Sequence, residues 1–75
     1  MKRTLLRAER TKRGMTQHEV INRLGISAPT YSGIERGYKH GNAKLWMGIK
    51  NLFHLDGAEV WAMIEQGFIE GSEDV

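Results

Sequence analysis

The sequence predicts an all-α fold of five helices in one domain. Apolar residues recur three or four positions apart along most of the 75-residue chain, which is the spacing of one face of a helix. Capping residue types precede these segments and Gly follows several of them, while no run shows the alternation of a half-buried strand. The length allows a single domain only. The absence of Cys excludes disulfides and thiolate metal sites.

The five helices are predicted from their caps and apolar stripes. In chain order they cover residues 3–13, 17–24, 28–36, 43–53 and 58–66. Thr16, followed three residues later by Glu19, forms the capping-box pattern that begins the second helix. The caps expected for the last three helices are Ser27, Asn42 and Asp56. Each supplies a side-chain oxygen to the unpaired N–H groups of a first turn.

Large apolar residues outnumber what a domain of this size usually hides. Trp61 is expected in the core together with Val60 and Ile64, which share a face of the fifth helix. The remaining members of this group are candidates for a dimer face: Trp46, Met63, Phe68 and Ile69.

Charge is divided unequally along the chain. The first 44 residues hold ten Lys or Arg and three Glu, a net charge of +7. The last 31 residues hold one Lys and six acidic residues, a net charge of −5. A basic half of this kind is typical of a protein that binds a polyanion on one face. A solvated surface without a partner explains the same pattern, so charge alone does not decide between the two.

Other classes of function find little support in the residues. His18, His40 and His54 share no metal-ligand spacing, so neither a metal nor another cofactor is predicted. No arrangement of nucleophile, acid and base indicates an enzyme. The first ten residues lack the apolar region of a signal peptide, and no apolar run is long enough to span a membrane. A cytoplasmic protein without a membrane partner is expected.

Residues 16–37 are the most informative stretch. They predict two short helices joined by a tight turn at Gly25 and Ile26, with Ser27 as the cap of the second helix and Pro29 in its first turn. Two helices crossing at a steep angle over such a turn form a helix-turn-helix. In DNA-binding versions of this motif, the second helix lies in the major groove.

Several residues of this stretch stand at the spacing of a known family: Thr16-Gln17, Leu24-Gly25-Ile26-Ser27, Ser32 and Ile34-Glu35-Arg36-Gly37. Over about residues 3–66 the chain resembles the Cro/C1-type helix-turn-helix family of phage and bacterial transcriptional regulators. The resemblance implies a five-helix, lambda-repressor-like DNA-binding domain. We expect this domain over residues 1–67 and a short acidic tail over residues 68–75.

The resemblance implies three groups of site residues. Those expected to face DNA bases lie on the third helix: Ala28, Pro29, Thr30, Ser32 and Gly33. Those expected to contact DNA phosphates begin the second helix or follow the third: Gln17, Arg36, Lys39, His40, Asn42 and Lys44. Arg10 and Glu35 occupy the places of a partly buried ion pair between the first and third helices. Two separate exposed charges are the alternative.

The function implied is that of a Cro-like or small repressor, encoded by a phage or mobile element, that binds double-stranded operator DNA. A homodimer is expected, either in solution or only on DNA, since two half-sites one helical turn apart favour two copies. The alternative is a protein-interaction module on the same fold, an antirepressor or antitoxin, with its partner on the C-terminal half.

One feature departs from a typical DNA reader. The third helix has no Gln, Asn, Arg or Lys before Arg36, although these side chains make the bidentate contacts to bases. Modest direct specificity, supported by phosphate contacts and DNA deformability, is therefore expected. Gly33 lies inside this helix, and by its spacing it is expected to point outward rather than into the packing.

Overall fold

Five α-helices form the part of the chain that this computed structural model describes, which is residues 3–71, with side chains to residue 67. They are α1 (Thr4–Lys12), α2 (Gln17–Leu24), α3 (Ala28–Glu35), α4 (Ala43–Phe53) and α5 (Gly57–Gly71). No strand occurs within these residues. The predicted all-α, five-helix class is confirmed, and α1 to α4 begin and end within one residue of the predicted positions.

The helices begin at the predicted caps. The Thr16 hydroxyl accepts a hydrogen bond from the Glu19 N–H at 3.1 Å, and the Glu19 carboxylate accepts one from the Thr16 N–H at 3.1 Å. Asp56 forms a second box of the same kind at the start of α5. Ser27 and Asn42 accept hydrogen bonds from the first turns of α3 and α4. The first-turn N–H groups that reach these caps are thereby satisfied within the chain.

The turn between α2 and α3 needs a left-handed backbone conformation, which glycine adopts most easily. Gly25 ends α2 with a φ of 67°, and its N–H donates to the Ile21 carbonyl. This left-handed conformation reverses the chain within two residues and places α3 across α2. In addition, α1 packs on α3 and α5, and α4 packs on α2 and α5.

The core is shared by all five helices, so no helix pair is complete alone. Its buried apolar residues are Leu6, Val20, Tyr31, Ile34, Leu45, Trp46, Ile49, Phe53, Leu55, Val60 and Met63. These residues come from both the basic and the acidic half of the chain. The acidic half therefore supplies the support on which the helix-turn-helix rests.

The expected places of the two tryptophans were wrong. Trp46 is 5% exposed and belongs to the core, whereas Trp61 is 60% exposed. The Trp46 indole N–H donates to the His40 carbonyl at 2.8 Å, and the Trp61 N–H donates to the exposed Glu65 carboxylate at 2.9 Å. Of the proposed dimer face, Trp46 and Met63 are buried inside the domain. The side chains of residues 68 and 69 lie outside the described residues.

The last helix is longer than predicted because Gly67 does not end it. The predicted segment was 58–66, but α5 runs from Gly57 to Gly71. Gly67 is buried, and a methyl group there would overlap the guanidinium of Arg3. Its small size provides space for that side chain and does not mark a stop. The boundary expected at residue 67 lies inside this helix, and residues 72–75 of the tail are outside the described residues.

Candidate nucleic-acid interface

An ion pair joins α1 to the end of α3. The Arg10 guanidinium donates to both carboxylate oxygens of Glu35, with Nε–Oε2 at 2.9 Å and Nη2–Oε1 at 3.0 Å. Both side chains are largely buried, with exposures of 11% and 5%. Arg10 also donates to the Met15 carbonyl at 2.9 Å. A bidentate pair in this position fixes α3 relative to α1 and to the start of α2.

The charges of this pair stabilise each other. Burial alone would raise the pKa of Glu35, but the hydrogen bonds and charge of Arg10, helped by its other neighbours, hold that pKa below its ordinary value. The hydrogen bond to Glu35 raises the pKa of Arg10. Burial, and then the adjacent carboxylate, raise the pKa of Tyr31. Arg10 and Glu35 are therefore both charged at neutral pH, while Tyr31 is neutral.

A small cleft opens beside this pair between α1, the start of α2 and the outer side of α3. We call it the arginine cleft. It encloses about 250 Å³ and is lined by Arg3, Arg7, Arg10, Gln17, Ser32, Glu35 and Arg36. Four guanidinium groups against one carboxylate make it strongly positive. It brings together two of the expected phosphate residues, Gln17 and Arg36, and one expected base-facing residue, Ser32.

Gln17 is engaged within the protein. Its side-chain amide donates to the Glu35 carboxylate at 3.1 Å, so that amide also supports the ion pair. The residue is half-buried and is the first of α2. Any phosphate contact at this position would use the N–H groups of the helix start, where the macrodipole is positive, or would require the amide to leave Glu35.

The other expected phosphate residues lie on a different part of the surface. Lys39, His40, Asn42 and Lys44 are all exposed in the loop after α3 and at the start of α4. The loop is fixed from inside by the Trp46 indole, bonded to the His40 carbonyl, and by Arg3, which donates to the Lys39 carbonyl at 2.7 Å. The backbone that carries Lys39 and His40 is therefore held in place by these two hydrogen bonds.

Asn42 and Lys44 also line a wider groove of about 930 Å³ between the helix-turn-helix and α4. Arg23 and Thr30 lie at the same groove, and most of its remaining lining is apolar. One side of α3 thus adjoins the arginine cleft, and the other adjoins this groove. Arg23 was not among the expected site residues, because its place on the second helix gives no sign that it lies near the loop after α3.

The expected base-facing residues differ in exposure. Ala28 and Pro29 are exposed, while Thr30 and Ser32 are half-buried. The expectation that Gly33 is open to solvent was wrong, since Gly33 is buried. The methylene groups of Lys39 lie over it, at 2.9 to 3.3 Å from where a Cβ atom would stand. Gly33 is therefore accessible only if Lys39 moves.

Two arginines of the cleft were missed by the sequence analysis. Arg3, Arg7 and Arg10 are spaced four and three residues apart, which places them on one face of a helix. This spacing was a usable signal for Arg7, which is exposed at the cleft. The role of Arg3 could not be read in this way, because its partners are main-chain carbonyls on distant elements.

Two other kinds of site are missing from the described residues. No group of three or more His, Asp or Glu side chains there is arranged to hold a metal ion. None of the helices in that part of the chain is both long enough and apolar enough to cross a membrane.

Comparison with known families agrees with the geometry. A helix-turn-helix family model matches residues 6–44, just over half of the chain. This range contains the ion pair, the turn, α3 and the loop that follows it. Searches of curated proteins and of solved structures gave no match. The chain therefore belongs to the Cro/C1-type helix-turn-helix family of DNA-binding regulators.

Proposed function

We propose that the protein is a sequence-specific transcriptional regulator that binds operator DNA with α3 in the major groove. The observation that carries this proposal is the position of the arginine cleft beside the outer side of α3. A helix in the groove has phosphates on both of its flanks. Here one flank has the arginine cleft, and the other has the loop and the start of α4, with Lys39 and Lys44 exposed.

The charges favour this arrangement energetically. Each Lys or Arg that neutralises a phosphate releases condensed counterions, which supplies affinity without sequence information. Arg7 and Arg36 are exposed at the cleft, whereas Arg10 is already paired with Glu35. We assign the phosphate contacts on this flank to Arg7, Arg36 and the N–H groups at the start of α2. The loop side chains His40, Asn42 and Lys44 approach the other strand.

A dimer on DNA completes the proposal. The described part of the chain measures 31 × 26 × 22 Å, and two half-sites one helical turn apart are centred about 34 Å from each other. One copy therefore occupies one half-site. Repression would be steric, because a protein bound at a promoter blocks polymerase. A phage or mobile element is the proposed source.

The decisive test is selection of bound sequences from random DNA at moderate salt. We expect a palindromic motif, which would establish both base reading and dimeric docking. The logarithm of the binding constant should fall linearly and steeply with the logarithm of salt concentration. A flat salt response, or the absence of any selected motif, would contradict the proposal.

Arg7 provides a focused test of the arginine cleft. Arg7→Met should weaken binding to all sequences about equally and lower the salt slope by roughly 1, as the loss of one phosphate contact does. Lys12→Met is the matched control, because it removes the same charge from an exposed position on α1, where Lys12 pairs with Glu9 and does not line the cleft. If the two variants behave alike, net charge rather than the cleft determines the affinity.

The exposed Trp61 favours a second candidate function, a protein-interaction module of the antirepressor or antitoxin kind. At 60% exposure it is a large apolar group in the acidic half, and it does not line the arginine cleft. Trp61→Ala should then abolish capture of a protein encoded beside this gene and leave any DNA binding unchanged. Recovery of such a partner by wild type, with no DNA shift on flanking sequences, would favour this function over the first.

A further inference from the structure

The Lys39 side chain takes the place of a side chain that α3 lacks. Its γ-, δ- and ε-carbons lie 2.9, 3.0 and 3.3 Å from the position that a Cβ atom at Gly33 would occupy. Because Gly33 has no side chain, the surface of α3 leaves room at this position for the Lys39 carbons. Any other residue there would displace Lys39, so the glycine and the lysine form one arrangement.

The backbone of Lys39 is fixed in three ways. Its N–H and that of Tyr38 donate to the Gly33 carbonyl at 3.1 and 2.8 Å. Its own carbonyl accepts a hydrogen bond from the buried Arg3 guanidinium at 2.7 Å. A lysine on a free loop would lose much side-chain and backbone entropy on binding. Here the main chain is already held by hydrogen bonds, and the γ-, δ- and ε-carbons of the side chain rest on α3.

The position of Gly33 determines what the lysine can reach. Gly33 follows Pro29 by four residues and Thr30 by three, so these residues share a face of α3. The N-terminal end of α3, where Pro29 and Thr30 lie, is the end that enters the groove in this motif. The ammonium group, one bond beyond the ε-carbon, is thus carried on the same face as the expected base-facing residues.

We propose that Lys39 reads a base, supplying from the loop the cationic donor that α3 itself lacks. This inference rests on the proposed function, since it requires α3 in the major groove. α3 offers no Arg, Lys, Asn or Gln before Arg36, and a lysine ammonium is suited to the O6 and N7 acceptors of guanine. The role differs from the phosphate contact expected from sequence, because a phosphate contact carries no sequence information.

Selection from random DNA with Lys39→Met separates the two roles. Methionine keeps an apolar cover over Gly33 but removes the ammonium group. We expect the variant to keep most of the wild-type motif and to lose its preference for guanine at one position of each half-site, by about tenfold or more. Lys12→Met, which removes the same charge elsewhere, should select the wild-type motif unchanged.

A second variant changes the glycine of this arrangement and leaves the lysine in place. Gly33→Ala should displace the Lys39 side chain and shift preference at the same position, although the lysine is still present. If Lys39→Met retains the full motif, with uniformly weaker binding and a salt slope lower by roughly 1, Lys39 contacts only phosphate and the inference is overturned. If wild type itself selects no motif, the proposed function fails, and this inference fails with it.

Discussion

Two buried arginines hold the C-terminal end of α3 in different ways. Arg10 binds the Glu35 carboxylate, so a charge meets an opposite charge. Arg3 is fully buried, and among the described residues its guanidinium donates only to carbonyl oxygens, those of Ile34, Lys39 and Met63. Their pKa values move in opposite directions. The bond to Glu35 raises that of Arg10, and burial lowers that of Arg3.

The difference shows what each arginine contributes. Arg10 neutralises a buried anion and ties α1 to α3, and both residues of the pair lie inside the matched family region. Arg3 joins the end of α3, the loop after it and α5 through a single guanidinium, and it also lies 5.3 Å from the Trp46 ring centre. The Arg10–Glu35 pair joins two helices of the basic half, whereas Arg3 connects the helix-turn-helix to the acidic half of the chain.

The largest effect is expected from breaking the pair. Arg10→Met leaves the Glu35 carboxylate buried without a positively charged partner, and should lower the free energy of unfolding by about 3 to 5 kcal/mol. Urea unfolding followed by circular dichroism measures it. Arg10→Met combined with Glu35→Met should recover most of the loss, because no charge is then stranded. Additive single effects would show that the two residues are not coupled.

Removing Arg3 should have a smaller effect, although Arg3 is the more buried of the two. Arg3→Met strands no charge, and the Ile34 carbonyl keeps its bond from the Gly37 N–H at 3.1 Å. The lost charged hydrogen bonds correspond to about 2 to 3 kcal/mol. Arg7→Met, at an exposed position, should change unfolding by less than about 0.5 kcal/mol. If Arg3→Met lowered the free energy of unfolding by more than Arg10→Met does, the expected order of the two arginines would be reversed.

Gly67→Ala tests the space that Arg3 occupies. The added methyl would overlap a guanidinium held by three carbonyls, so we expect a loss of about 1 to 3 kcal/mol, as for overpacking. Gly57→Ala is the matched control, because a Cβ atom there meets nothing within 4 Å. Its melting temperature should be unchanged or higher. In an Arg3→Met background the Gly67→Ala substitution should become nearly neutral, and a persistent loss would place its cause elsewhere.

The smallest expected effect is the pH dependence of the Arg10 pair. The pKa of Glu35 is lower in the folded than in the unfolded state, so its stabilisation is fully present above the ordinary pKa of about 4.3. That stabilisation is lost as pH falls through the folded pKa. Urea midpoints should therefore fall more steeply below about pH 4.3 in wild type than in Glu35→Gln. Parallel profiles would show that Glu35 does not contribute to acid sensitivity.

The sequence was most informative where partners are close or follow a motif. Caps such as Thr16 and turns such as Gly25 depend on neighbours within four residues, and the Arg10–Glu35 pair was implied by family spacing. The contacts of Arg3 could not be predicted, since they go to main-chain oxygens and carry no side-chain signature. Trp61 was misplaced because apolar character alone does not tell which face of a helix finds the core.

Two glycines were misplaced from the sequence: Gly67 was expected to follow the end of the fifth helix, and Gly33 was expected to point outward from the third. Gly67 lies within α5, and Gly33 lies within α3. In each case the space left by the missing side chain is filled by a basic residue, Arg3 from near the start of the chain or Lys39 from the loop that follows α3. Such a vacancy becomes interpretable only when the three-dimensional neighbour is known.

The contrasting environments of the two tryptophans provide a built-in optical reporter. The Trp46 indole is enclosed and bonded to the loop that carries Lys39, while Trp61 is in contact with water. In a Trp61→Phe variant all indole fluorescence comes from Trp46. A shift of its emission on addition of DNA would signal rearrangement of the loop, and an unchanged spectrum would indicate that the loop is preformed for binding. Loop ordering can thus be followed in unlabelled protein.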